Sequence, residues 1–432
     1  MADRAAKSGT QSFSRIKGTQ DILPADMPQR HLLEETIGAV MGRYGYREIR
    51  TPVFESTELF QRSVGAATDI VNKEMYSFED QGGKSLTLRP ELTAPVVRAY
   101  LQNNLGKELP LTRLYYLGDL FRQERPQKGR HRQFGQFGAE ALGSPYPEQD
   151  VEIIALAWEL CRAVVPEGLD LRLNSLGNPE ARQAYLALLK QALAPHAAAM
   201  GDRDRQRLET NPLRLFDTKD PDTQALLDEY APLISDNISD EDQDHFGAVK
   251  AGLDSLGIAY EHDKKLVRGL DYYSRTTFEI TSAALGAQDA VCGGGRYDGL
   301  VAELGGPATP AVGFAAGIER LLLAAGEAFR LAAEQPGLDV YLAVIGDGPR
   351  AKAPSMAGAL REQGVSVMLE TLRRSLKAQL REANRSGARY TVILGEDELA
   401  KGVCTVKDMA DGGQQEVGLE ALAVRFAELL AS

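Results

Sequence analysis

Between two apolar stretches the chain carries Arg122-Gln-Glu-Arg-Pro-Gln-Lys-Gly-Arg-His-Arg132. Arg122, Arg125, Lys128, Arg130 and Arg132 crowd this one hairpin against a single carboxylate, Glu124. Their mutual repulsion is relieved when a polyanion binds. A solvated turn would explain any one of them. It does not explain the set, because Arg122 adjoins an apolar strand where an idle guanidinium is costly to bury. Gln136 and Glu140 follow on the next apolar stretch, and the two-residue period of a strand puts both on one face, lining a pocket or a satisfied buried network. A glycine-bearing helix start, Thr309-Pro-Ala-Val-Gly313-Phe-Ala-Ala-Gly317-Ile-Glu-Arg320, is explained on its own as well by packing and an intrahelical ion pair as by function. The glycines at 293–295 read as a tight turn.

The elements that position these residues are legible in outline. Apolar spacing predicts helices over 32–44, 92–101 and 150–165, and strands over 47–54, 85–88, 114–121 and 134–142, with Pro52 marking an edge or an interface. After a strand at 171–173, residues 179–256 read as mostly helical, with an acidic insert around 236–244. A strand at 278–282, a loop at 292–299 and a helix at 313–325 complete a first region, and 332–337, with Pro336, reads as a linker. Beyond it, strands at 340–345, 365–369 and 390–394 alternate with helices at 351–363 and 372–386, then a hairpin and a last helix, which indicates a separate, mainly parallel α/β domain.

A length of 432 residues exceeds what one core usually serves. The formal net charge of -12 offers no global attraction to nucleic acid, so any such contact must use local basic patches. Cys161, Cys292 and Cys404 are scattered and form no CxxC pair, which argues against a disulfide framework and a cysteine-rich zinc site and fits a reducing cytoplasm. No charge-free apolar run is long enough to span a bilayer, and residues 1–14 read as a short disordered tail.

Phe121-Arg122-Gln-Glu-Arg125, the basic loop and Phe134 resemble motif 2 of class II aminoacyl-tRNA synthetases. The resemblance implies that Arg122 holds the α-phosphate of ATP and that Phe134 stacks on adenine. The 309–320 segment is similar to motif 3, which implies that Arg320 meets the γ-phosphate. Tyr44-Gly-Tyr-Arg-Glu-Ile-Arg-Thr-Pro52 is similar to motif 1 and implies a homodimer. Leu266-Val-Arg268-Gly-Leu-Asp271-Tyr272-Tyr273 and Gly293-Gly-Gly-Arg296-Tyr297-Asp298 resemble two motifs peculiar to histidyl-tRNA synthetases, where Arg268 would approach the α-phosphate opposite Arg122. Arg89-Pro90-Glu91-Leu92-Thr93 resembles the loop that binds the substrate amino group, with Glu91 as countercharge and Thr93 as hydrogen-bond partner. Leu92 stands where many bacterial members have glycine. By the same resemblance Gln136 assists with the amino acid, and Glu140 with one or both of Tyr272 and Tyr273 addresses the imidazole nitrogens.

Membership of that family would imply an α+β catalytic core with an antiparallel sheet over 15–175 and 257–331, a helical insertion over 176–256, the linker, and an α/β anticodon-binding domain over 338–432. The implied reaction joins L-histidine to ATP, with Mg2+ on the phosphates and no protein-bound zinc, and then transfers histidine from the adenylate to tRNA(His). Arg125, Gln127, Arg130 and Arg132 would contact the tRNA 5′ end. Arg373, Lys377, Arg381 and Arg385, four apart, would form one basic helix face in the anticodon domain. The alternative is a catalytically silent paralogue, the regulatory subunit of ATP phosphoribosyltransferase, which characteristically lacks the intact arginine motif and the anticodon-binding domain. This chain keeps Arg268 and about a hundred residues after Arg320.

Overall fold

The computed structural model describes residues 13–65, 68, 70–127, 129–286, 289–333 and 337–431. The first twelve residues of the expected tail, Lys128 of the basic hairpin and Pro336 of the expected linker lie outside the described residues. The chain divides into two compact units, Met1–Ala333 and Glu334–Ser432.

Strands of the first unit are β1 (Arg47–Glu48), β2 (Phe54–Ser56), β3 (Tyr76–Glu79), β4 (Ser85–Leu88), β5 (Thr112–Phe121) and β6 (Gln133–Leu142). After them come β7 (Leu169–Ser175), β8 (Glu261–His262), β9 (Ser274–Ser282), β10 (Ala290–Arg296) and β11 (Ala311–Gly317). Eight of them form one sheet in the order β1-β5-β6-β11-β10-β9-β7-β8, and β2-β4-β3 form a second. The large sheet is antiparallel from β5 to β7 and gains one parallel strand at each edge. Between β7 and β8 the chain runs through the helices Pro179–Leu193, Asp202–Thr210, Pro221–Tyr230 and Asp240–Ser255.

Alternation along the central strands separates core from site. Phe137, Ala139 and Ala141 of β6 and Val312, Phe314 and Ala316 of β11 enter one hydrophobic core with the helices Met27–Arg43 and Pro147–Val164. The latter helix forms where it does because Pro147 opens it and Glu148 and Asp150 oppose the dipole of its first turn. Its stripe of Ile153, Ile154, Ala157, Leu160, Cys161 and Val164 then packs on the sheet. Intervening residues, including Gln136, Glu140, Gly313, Ala315 and Gly317, face the other way.

Three expectations about these elements need correction. Of the loop expected at 292–299 only 297–299 are a turn, since β10 runs from Ala290 to Arg296 and pairs with β9 and β11 on both sides. Residues 313–325 are strand β11 followed by the short helix Ile318–Ala324. In both places pairing in the sheet overrides the turn and helix character that glycine and alanine suggest in isolation. The single strand expected at 47–54 is broken into β1 and β2, and Pro52 between them contributes a carbonyl that accepts from Arg89 Nη1 at 3.1 Å.

The second unit carries β12 (Val340–Val344), β13 (Val367–Leu369), β14 (Tyr390–Leu394), β15 (Val403–Asp408) and β16 (Gln414–Gly418) in the order β13-β12-β14-β15-β16. Its first three strands are mutually parallel and the hairpin strands antiparallel, so the sheet is mixed rather than mainly parallel. The basic helix starts only at Leu376, and Arg373 lies before it in the left-handed region at φ 56°. Lys377, Arg381 and Arg385 remain four apart on the helix, and Arg385 pairs with Glu382.

One buried ion pair ties helix to sheet. Arg296, on the core face of β10, donates from Nε to both oxygens of Asp150 at 3.2 and 3.1 Å, and from Nη1 and Nη2 to the carbonyls of Ser144 and Tyr146 at 2.8 and 3.1 Å. Both side chains are 0% exposed. Asp150→Ala leaves the buried guanidinium only the partly exposed Asp298, 3.1 Å away, as countercharge, and denaturant titration should show a loss of about 3 kcal/mol. Replacing both partners with apolar residues should recover most of it, and a single variant as stable as the parent would show the pair to be inert.

Candidate active site

The sheet face opposite the core is almost bare at its centre. Gly313 and Gly317 of β11 and Gly293 of β10 leave a hollow of about 230 Å³ above the strands. Side chains are excluded there by what surrounds it. A Cβ on Gly293 would lie 2.0 Å from the Arg268 guanidinium, and one on Gly313 would lie 1.7 Å from Glu140 Oε2. The glycine run that reads as a turn therefore makes room for two functional groups.

Glu91, Thr93, Arg122, Phe134, Gln136, Glu140, Arg268, Tyr272, Tyr273 and Arg320 all line this one cavity. They reach it from β6, from the loop before helix Thr93–Gln102, from the end of β5, from the loop 263–273 and from the helix after β11. Of the expected RNA-contacting residues in the hairpin, Arg130 also lines it, whereas Arg125 and Gln127 are exposed outside it and Arg132 is half-buried at the hairpin base. The second unit holds Arg373, Lys377 and Arg381, all exposed.

Each cation has a hold. Arg122 donates from Nε to the Pro90 carbonyl at 2.8 Å, stands 3.9 Å from Glu124, and lies 5.5 Å from the centre of the Phe134 ring. Glu124 also pairs with Arg130 at 3.2 Å. Arg268 pairs with Glu279 of β9; burial alone would lower its pKa, but that carboxylate raises it above the usual arginine value. Arg320 donates to the Ala290 carbonyl at 2.7 Å, and burial, then the neighbouring Arg130, pulls its pKa down. Glu319 pairs with Arg30 at 2.5 Å rather than serving an ion pair with Arg320 on its own helix.

The acidic side is equally organised. Glu91 accepts from the backbone N–H of Thr93 at 2.7 Å and of Ala94 at 3.0 Å, capping the helix that begins at Thr93. Leu92 has ordinary right-handed torsions, φ -114° and ψ -17°, and its side chain is buried in the core, so a larger residue at this position leaves Glu91 and Thr93 on the cavity wall. Glu140 accepts from Thr93 Oγ1 at 2.7 Å, from Tyr116 OH at 3.1 Å and from Tyr297 OH. Burial pushes Glu91 up to about 7 and Glu140 up to about 8, with hydrogen bonds pulling the other way. Tyr272 packs against Tyr273 and Tyr297, with ring centres 4.7 and 5.5 Å apart.

Tyr116 and Tyr297 were absent from the expected site. Tyr116 sits two residues before Gly118 on an apolar strand and reads as core, and only its register opposite Gly138 turns it to the cavity side. Tyr297 stands inside a quoted motif, yet nothing in the sequence says that its hydroxyl meets Glu140. A cavity with cations on one side and buried carboxyls with hydroxyl donors on the other can take a ligand carrying phosphate at one end and N–H donors at the other.

Comparison with known proteins matches residues 18–321 to the family model described as histidyl-tRNA synthetase and residues 339–429 to an anticodon binding domain. A histidine–tRNA ligase of Chloroherpeton thalassium is 48% identical over 409 residues, 94% of this chain and 95% of that one. Another, from Anoxybacillus flavithermus, is 47% identical over 97% of this chain and 100% of its own length. Among solved structures, apo S. aureus histidyl-tRNA synthetase superposes with a TM-score of 0.80 at 36% identity, covering 96% of this chain and 100% of that one. These relatives support the ligase reading and not the regulatory alternative.

Glu140 gives the ligand-free protein a pH signature. In the fold it holds a proton to about 8, against an ordinary value of 4.5, so its contribution to stability is complete below 4.5 and is lost as pH rises through about 8. Glu140→Gln stays neutral throughout. Thermal melts from about pH 5.5 to about pH 8.5 should show the parent losing stability relative to this variant, and parallel curves would mean that Glu140 ionises normally.

Proposed function

Because the chain belongs to the histidyl-tRNA synthetase family, we propose that its cavity joins L-histidine to ATP and passes the histidyl group to tRNA(His). The histidine carboxylate attacks the α-phosphorus, the bond to pyrophosphate breaks, and histidyl-adenylate forms. A terminal ribose hydroxyl of the tRNA then attacks the mixed anhydride and releases AMP. The carboxylate and the α-phosphate are both anionic, so the barrier is largely electrostatic, and fixed guanidinium groups lower it by neutralising charge that peaks in the transition state. The observation that carries this reading is that Arg122 and Arg268 line one cavity together with Glu140.

Arg122 and Arg268 flank the α-phosphate, Phe134 stacks on adenine and Arg320 meets the γ-phosphate. Glu91, Thr93 and Gln136 take the amino-acid backbone, while Glu140 with Tyr272 or Tyr273 takes the imidazole. Mg2+ comes with ATP and adds charge neutralisation at the phosphates. Its preference for phosphate oxygens, water and one or two carboxylates suits a cavity lined by Glu124 and Glu319. Arg125, Gln127, Arg130 and Arg132 contact the tRNA acceptor end, and Arg373, Lys377 and Arg381 the anticodon region. The protein works as a homodimer in the cytoplasm; exposed Val53, Phe54 and Phe78 are apolar surface that a second copy would cover.

Pyrophosphate exchange into ATP should depend on histidine and on no other amino acid. Arg268→Ala or Arg122→Ala should cut exchange by roughly 10²–10³ and change histidine affinity far less. Unimpaired turnover of Arg268→Ala would remove its assigned role, and histidine binding without exchange in the parent would point to a silent regulatory protein.

A further inference from the structure

The loop that brings Arg268, Tyr272 and Tyr273 to the cavity has no helix or strand of its own. Its entry is tied to the sheet, where Asn174 of β7 donates from Nδ2 to the carbonyls of Leu266 at 3.0 Å and Lys264 at 3.3 Å. Its exit is tied to the helical segment between β7 and β8. Arg182, on the helix Pro179–Leu193, donates from Nη1 to the carbonyls of Asp271 at 2.6 Å and Tyr273 at 3.0 Å. Asn211, at the end of the helix Asp202–Thr210, places Nδ2 2.9 and 3.0 Å from the two oxygens of the Asp271 carboxylate. Arg214, in the following turn, donates to the Gly269 carbonyl.

We propose that Arg182, Asn211 and Arg214 are positioning residues for histidine activation, holding the backbone of 269–273 and through it the aim of Arg268 and the two tyrosines. The proposal rests on the reading that this loop faces histidine. Peptide carbonyls in an irregular loop find no partners in a strand ladder, so donors from elsewhere must satisfy them. Here those donors stand on a part of the chain that supplies no lining residue to the cavity. Slackening them lets the loop sample conformations that histidine must pay to reorder. ATP loses at most the Arg268 contact at its α-phosphate, because Arg122, Phe134 and Arg320 stand at the end of β5, on β6 and on the helix Ile318–Ala324, so its affinity changes little.

Histidine-dependent pyrophosphate exchange tests this with Asn211→Asp, which sets a second carboxylate against Asp271, and with the swap Asn211→Asp/Asp271→Asn, which restores the amide–carboxylate contact with its partners exchanged. Asn211→Asp should raise the histidine KM on the order of tenfold while the ATP KM stays within about twofold, and the swap should recover most of the loss. Arg214→Ala repeats the readout, with a smaller shift in the same direction, should Asn211→Asp melt early. An unchanged histidine KM in both single variants overturns the proposal, as does a parallel rise in both KM values that the swap does not reverse. A parent without histidine-dependent exchange would instead overturn the reading of the site, so the two failures are told apart.

Discussion

Arg122 and Arg268 face the same hollow, and in a partly desolvated space their charges repel more strongly than they would in water. Left to themselves the two side chains would swing apart toward solvent. Arg122 is held by the Pro90 carbonyl and the Phe134 ring, and Arg268 by Glu279. Each tether draws on a different element, so neither arginine depends on the other for its place. Donors fixed in advance cost little reorganisation when charge develops between them. An anion arriving in the cavity therefore meets its countercharges in position.

That arrangement needs floor space, which accounts for the glycines of the central strands. Glycine weakens a strand, since it forfeits side-chain packing and backbone restriction. Here the loss falls on one face only. The residues between the glycines, Phe314 and Ala316 on β11 and Phe137 and Ala139 on β6, pack against the helix behind, with the Phe137 and Phe314 rings edge to face at 6.3 Å. The two-residue period lets one strand serve as core on its back and as binding surface on its front. Arg296 and Tyr297 mark the same division, one side chain pinning Asp150 behind the sheet and the next meeting Glu140 in front of it.

Much of this was legible because some signals are local. Period placed Gln136 and Glu140 on one face, and the crowding of cations around Arg122 announced an anion. The misreadings at 292–299 and 313–325 arose where glycine satisfies two opposite descriptions, a turn that needs its torsions and a strand that needs its lack of a side chain. Only neighbours far away in sequence decide between them. Tyr116 was unreadable for a related reason, because a tyrosine in an apolar strand differs from core only in what its hydroxyl reaches. The ties from Arg182, Asn211 and Arg214 join residues 55 to 91 positions apart, beyond any pattern that spacing can display.

Glu140 shows how such a site can select without a second, correcting site. Thr93, Tyr116 and Tyr297 converge on its two oxygens, so the carboxyl is fixed before any ligand arrives. Burial keeps it protonated to about 8, and an N–H donor from a ligand shifts the balance toward the carboxylate. On the proposed reading that donor is an imidazole nitrogen. An amino acid of similar size but without ring nitrogens would leave the buried acceptor and its tyrosine neighbours facing apolar atoms. Sites that penalise a missing hydrogen bond in this way discriminate by roughly four to five orders of magnitude, whereas a hydrophobic pocket judging size alone reaches about two. The same desolvation that raises Glu140 thus also makes a wrong ligand expensive.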